Sequence, residues 1–157
     1  MIAENFNDYF VKIGPNLTKE IPTHHNSFKK FFKAKVFCFS VLDPVTDDEV
    51  LNEIKQFNAN KSSGHDDSSP KVVKAISSYV VKPLTHIFNL SFLTGKISDA
   101  LKIALVTPVY KANDQHKFSN YRQISVLPCF SKILQKLMYK RAIRFINKRD
   151  LLSRYQY

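Results

Sequence analysis

The residues best placed to do chemistry in this chain are cations. Lys132, Lys136, Lys140, Arg144 and Lys148 follow one another four residues apart, joined by Arg141 and Arg149, and no acid intervenes before Asp150. Like charges at this spacing on a helix each cost roughly a few tenths of a kcal/mol. An ordinary solvated face mixes signs, so the series reads as a surface that meets phosphates, with a plain solvated face as the alternative. A second pair, Lys111 and Arg122, flanks the polar connection KANDQHKFSN. A guanidinium grips phosphate oxygens two at a time and an ammonium adds a point charge, so two cations at one end of a hairpin suit a triphosphate. Two surface bases on a hairpin are also ordinary. Lys61, Ser62, Gly64 and Asp66 lie in a third segment, where turn chemistry suffices: Gly64 for an unusual backbone angle and Asp66 as a cap.

The bulk of the chain agrees with an anionic partner. Its 157 residues carry 24 Lys plus Arg against 13 Asp plus Glu, a formal charge of +11, and an excess of this size favours nucleic acid. A hydrophobic share of 44% argues against wholesale disorder and suits one modest domain with a real core. Cys38 and Cys129 are far apart and in no CxxC spacing, which argues against a disulfide scaffold or a zinc site and fits small buried residues in a reducing compartment. His24-His25 has no further ligand at metal spacing and reads as part of a surface loop. The start, MIAENFNDYF, carries acids where a secretory signal carries bases, and no apolar run approaches the ~20 residues of a membrane span. The expected location is therefore intracellular, cytoplasm or nucleus, with no membrane partner.

These groups need elements to hold them. Ile2, Phe6, Tyr9, Phe10 and Ile13 recur at helical spacing and predict a first helix that stops at Gly14-Pro15. AKVFCFSVL predicts a short extended segment. Thr46-Asp47-Asp48-Glu49 is a capping box opening a helix that buries Val50, Leu51, Ile54 and Phe57. After the loop NANKSSGHDDSSP, Ser69-Pro70 restarts a helix with Val72, Val73, Ile76 and Val80 inward, and a further helix runs past Pro83 to a Gly95 C-cap. IALVTPVY and YRQISVLP predict a β-hairpin with a long, mobile tip, and Pro108 marks an edge strand or a kink. A last helix spans about Phe130 to Lys148, with Ile133, Leu134, Leu137, Met138, Ala142, Phe145 and Ile146 facing inward. The class is α+β, mainly helical, with one hairpin.

Taken in order, FNDYFVKIGPNL, PVTDDEVLNEIKQFNANKSSGHD, PLTHIFNLSFLTGKI, LKIALVTPVYK, YRQISVLPCFSKILQK and LLSRYQY resemble the reverse transcriptases of non-LTR (LINE-like) retrotransposons over nearly the whole chain. The resemblance implies that residues 1–45 link or extend the polymerase at its N-terminal side and that residues 46–157 are part of its fingers. It implies that Arg122 and Lys111 hold an incoming deoxynucleoside triphosphate, and that the K-S-x-G-x-D loop with Lys61 lies near the template. The implied partners are an RNA template and a DNA primer, met by Lys61, Lys132, Lys136, Lys140, Arg144 and Lys148. Three places depart from the family pattern: Gln123 where proline is usual, Gln135 where glutamate is usual, and Ile97-Ser98 where an aromatic-proline pair is usual.

The resemblance implies nucleotide transfer with two divalent metal ions, Mg2+ in the full-length family, held by one carboxylate of an early palm strand and a pair from a later hairpin; the signature aromatic-x-Asp-Asp segment does not occur in these 157 residues. Asp47-Asp48 and Asp66-Asp67 lie in the capping box and the loop. The expectation is a truncated RNA-directed DNA polymerase domain, fingers without palm, that binds nucleic acid and nucleotide, holds no metal in this stretch and is inactive alone. The alternatives are a stand-alone RNA- or DNA-binding module and a non-functional retroelement remnant.

Overall fold

A computed structural model of the chain describes residues 2–22 and 42–152. The extended segment expected around AKVFCFSVL, the histidine pair His24-His25 and Cys38 lie outside the described residues. Five α-helices and one two-stranded sheet are present among them: α1 (Ile2–Glu20), α2 (Asp47–Lys55), α3 (Pro70–Ala75), α4 (Ser77–Thr94), β1 (Leu105–Tyr110), β2 (Tyr121–Val126) and α5 (Cys129–Lys148). The fold is mainly helical with a single antiparallel hairpin, the expected class. The chain divides into two compact units, one of residues 1–37 and 106–124, the other of 38–105 and 125–157. The first helix and the hairpin, far apart in sequence, thus fall in one unit.

The larger unit is built on aliphatic side chains and two phenylalanines. Val50, Ile54 and Phe57 of α2 and the turn after it, Val73 of α3, Val81, Leu84 and Phe88 of α4 and Ile133, Leu134 and Leu137 of α5 form one buried cluster. The capping box at the start of α2 is intact: the Glu49 N–H donates to Thr46 Oγ1 at 3.3 Å, and the Thr46 N–H donates to Glu49 Oε2 at 3.0 Å. Ser69 caps α3 by accepting from the Val72 N–H at 3.2 Å, with Pro70 in the first turn. The next break falls at Ile76, not at Pro83, which lies inside α4. A proline in a helix removes one donor and crowds one carbonyl, and the exposed position of Pro83 leaves that carbonyl to solvent. Val72 and Ile76, expected inward, are exposed, and the short α3 buries Pro70 and Val73 instead. Gly95 ends α4 as expected, at φ +68°, its N–H donating to Ser91 O at 2.9 Å.

The smaller unit has a different texture. α1 runs through Gly14 and Pro15 to Glu20, correcting the expected stop. No residue of α1 is fully buried, so the carbonyl left bare by Pro15 can be solvated. Thr18 Oγ1 also bonds the Gly14 carbonyl at 2.9 Å. Phe6 is the hub of a ring cluster, edge-on to Phe118 at 4.9 Å and to Tyr121 at 4.8 Å between centroids. Tyr9 meets Phe118 at 5.7 Å and Tyr110 meets Tyr121 at 5.5 Å.

The hairpin register follows from one bond, Lys111 N–H to Asn120 O at 2.8 Å. It pairs Val109 with Arg122 and Pro108 with Gln123. Pro108 then falls in a pair that exchanges no hydrogen bonds, so its missing N–H costs the ladder nothing. The tip carries bonds of its own. Asp114 Oδ1 accepts from the His116 N–H at 2.9 Å, and Asn120 Nδ2 donates to the Asp114 carbonyl at 2.8 Å. The Tyr121 hydroxyl donates to the Gln115 carbonyl at 3.0 Å.

Candidate nucleic-acid interface

The loop between α2 and α3 and the start of α5 build a basic cleft in the larger unit. What fixes the loop is a close approach at Gly64. A Cβ there would lie 2.6 Å from Pro128 N and 2.8 Å from Pro128 Cα, so no other residue fits without moving backbone. The angle expected of Gly64 is not needed, since it is not among the positive-φ residues; Asp67, at φ 55°, carries that turn. The Cys129 thiol donates to the Ser68 carbonyl at 3.1 Å and is fully buried. Burial, reinforced by the nearby Asp66 carboxylate and opposed by Lys132, pushes the thiol above its ordinary pKa. Asp66 accepts from the Ser68 N–H at 3.4 Å, a weak version of the expected cap.

This anchoring sets Lys61 beside α5. A groove of about 500 Å³ is lined by Lys61, Lys132 and Lys136, by the rings of Phe57 and Tyr139, and by Gln135 on the α5 side. The Lys136 ammonium sits 5.4 Å from the Phe57 ring centroid, within reach of a cation–π attraction. Tyr139 is 65% exposed. Three ammonium groups around two aromatic faces can hold phosphates of a strand while a base lies on a ring. Tyr139 and Phe57 were not among the sequence candidates. The signal was available, since Tyr139 stands three residues after Lys136 and so shares its side of the helix.

The rest of the α5 series goes elsewhere. Lys140 bonds Glu53 Oε1, and Lys136 Nζ lies 3.5 Å from Glu53 Oε2. Glu53 is on α2 and only 1% exposed. Arg141, read from sequence as part of the basic series, is 4% exposed and structural. Its guanidinium donates to the carbonyls of Asp43, Pro44 (2.9 Å) and Leu137 (3.3 Å) and to Glu49 Oε2 at 2.8 Å. From the other side Asn89 of α4 bonds both the N–H and the carbonyl of Val45, at 2.7 and 3.0 Å. The stretch of chain entering α2 is thereby locked by α4 and α5 together. Arg144 and Lys148 are exposed farther along α5 and do not line the cleft.

In the smaller unit, the register puts Lys111 and Arg122 on the same side of the hairpin. Val106, Pro108 and Gln123 face a groove of about 480 Å³ shared with Ile2, Phe6 and Phe10 of α1. Alternation along the strands sends Val109, Lys111 and Arg122 to the opposite side, and both cations are exposed. Among the described residues no three His, Cys, Asp or Glu side chains converge to hold a metal ion, and no helix is long and apolar enough to cross a membrane.

Over 110 residues the chain is 24% identical to the probable RNA-directed DNA polymerase from transposon X-element of Drosophila melanogaster. The similarity is distant. It covers 69% of this chain and 12% of the relative, so the chain spans a small part of that protein. No protein-family model matches. The chain therefore contains a region distantly similar to a transposon reverse transcriptase, in the direction its motif order indicates.

Proposed function

We propose that this chain is a fingers-like part of an RNA-directed DNA polymerase of non-LTR retrotransposon type, and that its work is to grip nucleic acid. The observation that carries this reading is the meeting of Lys61, Lys132 and Lys136 around the Phe57 and Tyr139 rings. Lys61 comes from the K-S-x-G-x-D loop and the other two from the first turns of α5, so segments 71 residues apart, from 61 to 132, supply one basic site. Phosphates of an RNA or DNA strand lie against the ammonium groups, and a base rests on the exposed Tyr139. Lys111 and Arg122, diagonal to one another on one face of the hairpin, take the triphosphate of a deoxynucleotide. The distant similarity to the X-element polymerase supports nucleic-acid binding in general.

The test is a salt titration of the full chain with a short fluorescent single-stranded RNA. Changing Lys61, Lys132 and Lys136 together to Met is expected to flatten the plot of log affinity against log salt by about 0.7 for each phosphate no longer neutralised, roughly two units in all. A slope equal to that of the unchanged protein would refute the cleft as the binding site.

A further inference from the structure

We infer that Glu53 is a positioning residue for the basic cleft, an internal anion that decides how many lysines of α5 a bound phosphate chain can use. This rests on the cleft being a nucleic-acid site. Glu53 is the one charged residue of α2 that is almost wholly buried, at 1% exposure, and it sits one turn from the cleft-lining Phe57. Its Oε1 holds Lys140. Among the described residues its Oε2 makes no hydrogen bond, and only Lys136, 3.5 Å away, offsets its charge there. Lys136 is thus shared: it lines the cleft and also answers a buried carboxylate oxygen that no other described residue satisfies.

This geometry acts on each lysine differently. Lys140 is occupied before any ligand arrives, so it adds nothing to phosphate binding while Glu53 is charged. A phosphate drawn to Lys136 approaches a fixed negative charge a few ångströms behind the ammonium. Between groups in a partly buried site such repulsion is weakly screened. Removing it frees Lys136 fully and releases Lys140, both about half exposed, to move toward the strand.

The experiment is the same salt titration with Glu53→Gln, whose amide keeps an acceptor for Lys140 without the charge. Binding is expected to tighten about fivefold at moderate salt, with the slope steeper by roughly 0.7 for each further phosphate neutralised. Asp48→Asn makes the same change in net charge on an exposed site of α2 and is expected to shift affinity less than about twofold. Adding Lys136→Met to Glu53→Gln is expected to remove most of the gain. A residue that only supported the fold would weaken binding when changed, so the direction separates the roles. Should the Gln variant lose its cooperative unfolding transition, Glu53→Asp, which withdraws the charge from Lys136, is expected to give a smaller gain in the same direction. Equal or weaker binding by the folded variants, or an equal gain from Asp48→Asn, would overturn the inference alone. Absence of salt-sensitive binding by the unchanged chain would overturn the reading of the cleft as well.

Discussion

The two units use charge in opposite ways. In the helical unit, Arg141 and Glu53 are buried and Glu49 is two-thirds covered, and these groups tie α5 to α2 and to the segment before it. In the unit of α1 and the hairpin, the packing is a cluster of ring edges near the surface, and Lys111 and Arg122 stand exposed on the far side of the sheet. The lesson is that the +11 charge of the chain is no measure of its binding surface. Part of the basic helix is scaffold, and its contribution to stability is spent inside the molecule. Neither hairpin cation is buried as Arg141 is.

The sharpest way to break this contrast is to remove Arg141. Arg141→Met keeps much of the apolar stem but leaves the Asp43 and Pro44 carbonyls and Glu49 without their shared donor. Urea unfolding followed by helical circular dichroism is expected to show a loss of about 3 kcal/mol. A loss under about 1 kcal/mol would mean that Arg141 behaves like a surface base, and the contrast would fail. Next in size is Phe6→Ala in the other unit. It removes the hub of the ring cluster and is expected to cost about 1–2 kcal/mol locally. Hydrogen exchange should quicken at the Lys111 amide, which bonds across the hairpin, while the urea midpoint of the helices stays put. An equal fall in that midpoint would show that the ring cluster and the aliphatic core unfold as one.

Much of the architecture could be read from local rules. The capping box, the Pro70 start, the Gly95 stop and both strands were marked by residue types that act within four positions of themselves. Pro15 and Pro83 misled because a helix can bear a proline's lost donor and crowded carbonyl more readily where that carbonyl still meets water, and exposure is a tertiary property. The basic series divides among several places for a geometric reason. Four residues turn a helix by about 40° beyond a full turn, so a series at that spacing winds around the axis. Lys132 and Lys136 reach the cleft, Lys140 meets Glu53, and Arg144 and Lys148 drift beyond both. The acids that answer the series were sought on the same helix, whereas they come from α2, 92 and 87 residues away for the pairs Glu49–Arg141 and Glu53–Lys140. Gly64 was singled out correctly but for a torsion angle, when its reason is the backbone of Pro128.

The smallest effect probes the edge of the buried network. Burial raises the Glu49 pKa, but hydrogen bonds from Arg141 and the Thr46 N–H, with the charges of Arg141 and Arg144, more than offset it, so the carboxyl sits below its ordinary 4.5. A depressed folded pKa means that the unfolded chain takes up this proton first. The contribution is therefore complete above about pH 4.5 and is lost as pH falls through the lower folded value. Because Glu49 is about a third exposed, solvent and salt screen the gain. Urea midpoints measured from about pH 5 down to about pH 3 should fall more steeply for the unchanged chain than for Glu49→Gln. The difference should vanish in the Arg141→Met background and shrink in high salt. Parallel curves in low salt would place Glu49 with the solvated charges, leaving Arg141 to lock the entry of α2 through backbone carbonyls alone.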